Sequence, residues 1–135
     1  MEKGLKQLNN INSIVELIGN TPLIELNGFK ELSSDKRIFI KAEWFNPGGS
    51  IKDRAALSMI NDGITSKRLT SNKTIMDSSS GNTAIAYAMI GAALGFKVEL
   101  VTPENINVER KKTLQAYGAK IIYSSPFEGS DGAII

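Results

Sequence analysis

Between Thr74 and Ser124 the chain alternates short apolar runs with runs of helical period, and this alternation admits few architectures. Thr74 to Asp77, Lys97 to Thr102 and Lys120 to Ser124 have the length and composition of strands, while Asn82 to Leu94 and Val108 to Tyr117 have those of helices. Strand, helix, strand, helix, strand in that order predicts an α/β domain with parallel strands joined by helical crossovers. Asn107 is placed to cap the second of these helices and Gly118 to end it in a left-handed turn. The helix Asn82 to Leu94 is apolar on nearly all sides, as expected of one covered by other protein. Upstream, Ile11 to Ile18 predicts a short helix, and Leu23 to Leu26 with Ile38 to Trp44 an antiparallel strand pair. Ile51 to Ser66 predicts a helix with Ala56, Met59, Ile60 and Ile64 toward the core.

Two strand-to-helix turns carry the residues capable of chemistry. In Asn46-Pro47-Gly48-Gly49-Ser50-Ile51-Lys52-Asp53-Arg54 the Asn-Pro and two glycines make a turn, and Ser50 is a suitable cap for the helix that follows. Lys52 then lies in the first helical turn. That end of a helix disfavours an ammonium, which suits an amine that has to act as a nucleophile. A solvated surface lysine is the alternative for this position. The spacing is not that of a P-loop, because no glycine directly precedes Lys52 and no Ser or Thr follows it. The second turn is Asp77-Ser78-Ser79-Ser80-Gly81-Asn82-Thr83. Its hydroxyls, its Asn amide and a glycine that lets a ligand approach the backbone form a cradle suited to a carboxylate at a helix start. Here the alternative is that Ser80 or Asn82 only caps its helix.

The rest of the composition narrows the function by exclusion. With no cysteine and no histidine among 135 residues, disulfides, thiolate nucleophiles, cysteine or histidine metal sites and a Ser-His-Asp triad are ruled out. Acid-base work falls to lysine, tyrosine or carboxylates. A formal charge of +2 gives no nucleic-acid signal. Met1 to Asn10 lacks the apolar centre of a signal peptide, and the longest apolar run, Ala84 to Phe96, is too short to span a bilayer, so a cytoplasmic location without membrane contact is expected.

These motifs together resemble the cysteine synthase and cystathionine β-synthase family of fold-type II pyridoxal-phosphate enzymes. Ile18-Gly19-Asn20-Thr21-Pro22-Leu23 is similar to the family's opening motif, Asn46 to Arg54 to its Schiff-base lysine motif, and Ser79-Ser80-Gly81-Asn82-Thr83 to its substrate-carboxylate loop. Pro103-Glu104 with Glu109-Arg110-Lys111 is similar to a further family segment. The resemblance implies a truncated tryptophan synthase β-like fold, an α/β parallel three-layer sandwich, with pyridoxal 5'-phosphate as cofactor. It implies that Lys52 is the catalytic lysine that binds the cofactor covalently and moves protons, and that Asn82 hydrogen-bonds the cofactor's 3′ oxygen. Ser79, Ser80, Gly81 and Thr83 would hold the substrate carboxylate. Many members have threonine at the place of Ser79 and glycine at the place of Ala84, and neither difference removes a donor. Ile135 stands near a position that some members fill with a polar residue. The implied reaction is β-replacement, in which O-acetylserine or a related β-substituted serine reacts with sulfide to give cysteine, with cystathionine β-synthase chemistry as the variant.

Family subunits run to roughly three hundred residues in two domains, whereas 135 residues are the size of one. Nothing from Met1 to Ile135 resembles the family's cofactor-phosphate loop, and Gly132 to Ile135 reads as the start of another helix. The expected organisation is a segment 1–45, with a helix and a strand pair that would pack on a second domain, followed by an α/β domain 46–135 carrying the lysine and the carboxylate loop. Strands without their partner and exposed apolar faces imply a homo-oligomer or a complementing second half. A non-catalytic fragment or interaction module is the competing expectation.

Overall fold

The computed structural model describes residues 12–27, 36–125 and 127. Strands β1 (Leu23–Glu25) and β2 (Phe39–Lys41) pair antiparallel, with Leu23 opposite Lys41 and Glu25 opposite Phe39. After β2 come helix α1 (Lys52–Thr65), β3 (Thr74–Ser78), α2 (Asn82–Leu94), β4 (Lys97–Pro103), α3 (Val108–Ala116) and β5 (Lys120–Ser124). The last three strands form a parallel sheet in the order β3-β4-β5, with Thr74 beside Lys97 and Glu99 beside Lys120. The predicted α/β alternation and parallel sheet are therefore present.

The core lies where α2 covers the sheet. β4 is the central strand and alternates in burial, so that Val98, Leu100 and Thr102 are covered between half-exposed neighbours. From α2, Ala84, Ala86, Tyr87, Ala88, Met89, Ile90 and Gly91 are all buried, which accounts for its lack of a polar face. Sheet contacts cover one side of α2 and α1 covers another. Small residues make this possible: a Cβ on Gly91 would meet the Val98 side chain at 2.2 Å. Gly95 and Gly118 end α2 and the turn after α3 with φ of 77°, and Asn107 caps α3 through Oδ1, which accepts from the N–H groups of Glu109 and Arg110.

Four sequence expectations need correction. The run Ile38 to Trp44 is not one strand: pairing covers Phe39–Lys41, after which Glu43–Phe45 forms a 3-10 turn. Its physical cause is the inward use of Glu43 described below. The helix expected over Ile11 to Ile18 is a 3-10 turn at Ile14–Leu17, and Ile11 lies outside the described residues. On α1 the buried stripe is Asp53, Ala56 and Ile60, rotated away from Met59 and Ile64, which are exposed. The reason is that α1 packs chiefly on α2 and not on the sheet. Lastly, Ser50 does cap, but only in part: its Oγ accepts from the Lys52 N–H at 3.2 Å, and α1 opens with 3-10 bonds from Asp53 and Arg54 N–H to the carbonyls of Ser50 and Ile51. The helix expected from Gly132 and the residue Ile135 lie outside the described residues.

Several large apolar side chains near the β1–β2 pair are exposed, among them Leu23, Ile38, Phe39, Trp44 and Phe45. Among the described residues no helix is long and apolar enough to cross a membrane.

Candidate functional site

The turn before α1 is built to bring its backbone round tightly. Gly49 donates from its N–H to the Asn46 carbonyl at 2.8 Å and takes φ of 78°, a conformation that favours glycine. Gly48 lies against Asp53: its N–H donates to Asp53 Oδ2, and a Cβ there would fall 2.4 Å from Oδ1. Asp53 has no exposed surface and its Oδ1 has no hydrogen-bond partner among the described residues. Burial pushes its carboxyl above the usual range, against the lowering effect of the Gly48 N–H, and the charge of Glu43 adds to the rise.

Lys52 emerges from this turn into solvent. Its backbone N–H is taken by Ser50, while among the described residues its amine has neither a hydrogen-bond nor an ion-pair partner. An amine so placed is free to condense with a carbonyl compound. The segment Ser79 to Thr83, expected to hold a carboxylate, lies at the other helix start. Ser79 donates its N–H to the Val101 carbonyl at 3.2 Å, which anchors the loop to the sheet and removes one N–H that a ligand could have used. Gly81 precedes α2 as its cap residue, and no side chain caps the helix. The alternative in which Ser80 or Asn82 is spent on capping is thus excluded. The first intrahelical bond closes from the Ile85 N–H to the Gly81 carbonyl, so the N–H groups ahead of it have no intrahelical acceptor and lie at the positive end of the helix. A Cβ on Gly81 would meet nothing within 4 Å, so no protein neighbour demands glycine there, and the open space fits a ligand. Ser79, Ser80, Gly81 and Thr83 are half-buried and Asn82 is exposed. Donors of this kind around open space match a carboxylate in charge and chemistry.

Tyr87, the nearest tyrosine to the loop in sequence, is no candidate for proton transfer. Its hydroxyl donates to Met59 Sδ at 3.3 Å, and burial, with the charge of Asp77, raises the phenol above its ordinary value.

The structure adds a polar hub that no local sequence pattern announces. Glu43 Oε2 accepts from Arg54 Nε at 2.8 Å and from Asn46 Nδ2 at 2.8 Å, and Oε1 accepts from Arg54 Nη2 at 3.0 Å and Thr21 Oγ1 at 2.8 Å. Arg54 Nη2 also donates to the Gly19 carbonyl at 2.6 Å, and Gly19 in turn donates its N–H to Asn46 Oδ1 at 2.9 Å. Lys41 donates its amine to the Thr21 carbonyl. Hydrogen bonds from Arg54 foremost, then from Thr21 and Asn46, lower the Glu43 carboxyl to about 2 against the opposing effect of burial. The charged residues of the Asn46–Arg54 motif were the available clue; the meeting of Arg54 with Glu43 and the Gly19–Thr21 segment was not.

A parallel α/β sheet, a lysine at one helix start and an open anion cradle at another define the class, and the sequence comparison agrees: residues 14–134 match the pyridoxal-phosphate dependent enzyme family, to which the chain belongs. Pyridoxal phosphate is that family's cofactor. Among relatives, the cysteine synthase of Aquifex aeolicus is 48% identical over 125 residues, covering 91% of this chain and 38% of that protein. The crystal structure of cysteine synthase from Entamoeba histolytica superposes with a TM-score of 0.90 at 36% identity, over 99% of this chain and 40% of that one. An O-acetylserine dependent cystathionine beta-synthase from Helicobacter pylori superposes with a TM-score of 0.81 at 33% identity, over 92% of this chain and 41% of the other. The fold is thus that of the tryptophan synthase β-like enzymes, and the chain spans about two fifths of the length of the relatives it matches.

Proposed function

We propose that this chain supplies the lysine-bearing part of a cysteine synthase-type enzyme, one that replaces the β-substituent of O-acetylserine or a related serine derivative with sulfide. The observation that carries this reading is Lys52: an amine with no polar partner among the described residues, at the end of a tightly held turn, within a chain that belongs to a pyridoxal-phosphate family. When bound, pyridoxal phosphate supplies an electron sink for negative charge at the amino acid's α-carbon. Lys52 would hold the cofactor and would take the α-proton of the amino acid on its Nζ. Asn82 would hydrogen-bond the cofactor's ring oxygen, and Ser79, Ser80, Gly81 and Thr83 would orient the carboxylate at the uncapped start of α2.

On the same reading, residues 1–45 pack on a second domain and 46–135 form the lysine-bearing domain, with the partner being a second copy or a complementing half and the location cytoplasmic. The exposed Leu23, Phe39, Trp44 and Phe45 support such a partner. One other reading has specific support: the cystathionine beta-synthase neighbour favours a thiol amino acid in place of sulfide. A non-catalytic module is the competing reading, and the assay below separates it.

The test is to mix the purified chain with pyridoxal phosphate, reduce with borohydride and map adducts by peptide mass spectrometry. An adduct concentrated on Lys52 and lost in Lys52→Ala is expected. Adducts spread evenly over surface lysines would refute Lys52 as the cofactor lysine in this chain. Cysteine formation that appears only on adding the remainder of such an enzyme would assign the activity to the assembly and reject the purely non-catalytic reading.

A further inference from the structure

Because the Lys52 amine has no hydrogen-bond or ion-pair partner among the described residues, the polar hold on this residue is through the backbone from Asn46 to Arg54. That backbone is pinned at both ends, and the same side chain does the pinning. At the front end Asn46, only 3% exposed, gives its Nδ2 to the Glu43 carbonyl, to Glu43 Oε2 and to the Ser50 carbonyl at 2.9, 2.8 and 3.0 Å. At the rear end Arg54 grips both Glu43 oxygens with two nitrogens, a forked geometry that fixes orientation as well as distance. Glu43 also accepts from Thr21, itself 7% exposed, and so ties the turn to the Gly19–Pro22 segment. Both carboxylate oxygens are thus committed to donors that flank Lys52 on either side.

We propose that Glu43 is a positioning residue for Lys52: its carboxylate joins Asn46 and Arg54, and so sets where the lysine amine stands. This inference rests on the reading of Lys52 as the cofactor lysine and extends it to a residue that touches neither cofactor nor substrate. Glu43→Gln keeps the shape but sets an amide donor against the donors of Arg54, Asn46 and Thr21, so the clamp loses at least one arm.

The experiment uses the full 135-residue chain, with pyridoxal phosphate as the probe. The ratio of borohydride-trapped label on Lys52 to that on the distant, exposed Lys97 is read by peptide mass spectrometry, alongside hydrogen exchange of the Asn46–Arg54 amides. In folded Glu43→Gln the label ratio is expected to fall about tenfold, since displacement of a reacting group by about 1 Å is costly. Exchange across Asn46–Arg54 should quicken while Ala84 to Ile90 stays protected. A folded variant with an unchanged label ratio overturns the proposal, because faster exchange alone would mark a merely structural role. If Glu43→Gln does not fold, Arg54→Lys decides, as it keeps the charge but not the fork: a lowered ratio supports the proposal and an unchanged one overturns it. A wild-type chain with no preference for Lys52 refutes the cofactor-lysine reading. In that event unchanged exchange in Glu43→Gln would also overturn the clamp, whereas faster exchange would keep it as the device that fixes this turn.

Discussion

Replacing Gly48 with alanine tests how the lysine turn is held, because the consequence follows from one contact. The added Cβ would stand 2.4 Å from Asp53 Oδ1 and 2.8 Å from Oδ2, far inside van der Waals contact. Gly48 does not occupy the left-handed region, so alanine suits its backbone and the cost is steric. Asp53 is fully buried, and to make room its carboxylate must abandon the Gly48 N–H. Overpacking costs about 1–3 kcal/mol, and loss of a hydrogen bond to a charged group about 1.5–3 kcal/mol. The smaller conformational freedom of alanine in the unfolded chain returns about 0.4–1 kcal/mol. A net loss of about 2–4 kcal/mol is expected.

In an Asp53→Ala background the carboxylate is absent, and with it both the clash and the bond that Gly48→Ala would break. The same glycine substitution should then be neutral or stabilising by up to about 1 kcal/mol, which makes the coupling between the two sites about 3 kcal/mol. Urea unfolding of the four proteins, followed by far-UV circular dichroism, measures it. If Gly48→Ala costs the same in both backgrounds, to within about 0.5 kcal/mol, the contact with Asp53 is not the reason for glycine at this position.

Two further outcomes are expected. Glu43, with its carboxyl lowered to about 2 from an ordinary 4.5, contributes stability that is fully present above its unfolded value and is lost as pH falls from about 4.5 toward 2. The stability advantage of the wild type over Glu43→Gln should therefore shrink across that window in urea melts. A constant difference would refute the charge-based account. Asp53, shifted upward, acts in the opposite sense, its contribution being lost as pH rises, and it is present in both proteins so it largely cancels. Leu100→Ala, at a fully buried position in the centre of the sheet, should cost about 2–5 kcal/mol in the same assay; a loss well below 1 kcal/mol would mean that the α2 to β4 interface is not the stabilising core.

Local signals made most of the α/β part legible in the sequence. Helix α2 and strand β5 have the boundaries expected, since the apolar run from Ala84 and the stops at Gly95 and Gly118 are set by neighbours in the chain. The turn that opens α2 was legible for the same reason: hydroxyls, glycine and a helix start are adjacent in sequence. Errors arose where a distant residue decides. The strand after Ile38 stops at Lys41 because Glu43 turns inward to Arg54, and no local pattern shows which charge will be drawn in. Likewise the buried stripe of α1 turns toward Asp53 because α2, not the sheet, is its packing surface. An aspartate in place of an apolar residue gives no sequence sign that it faces inward.

The same long-range bonds explain why two motifs that look independent occur in one chain. Arg54 reaches back 35 positions to the Gly19 carbonyl, and Asn46 reaches back 27 to the Gly19 N–H. Gly19 serves both because it takes φ of 104°, and a Cβ on it would come within 3.1 Å of Arg54 Nη1. The Gly19–Pro22 segment therefore contributes its backbone groups and the Thr21 hydroxyl to the frame that holds the lysine turn. What sequence inspection separates into an opening motif and a lysine motif is one hydrogen-bonded unit centred on Glu43. Substitution at Gly19 should consequently disturb Lys52 from a distance, by the same route as substitution at Glu43.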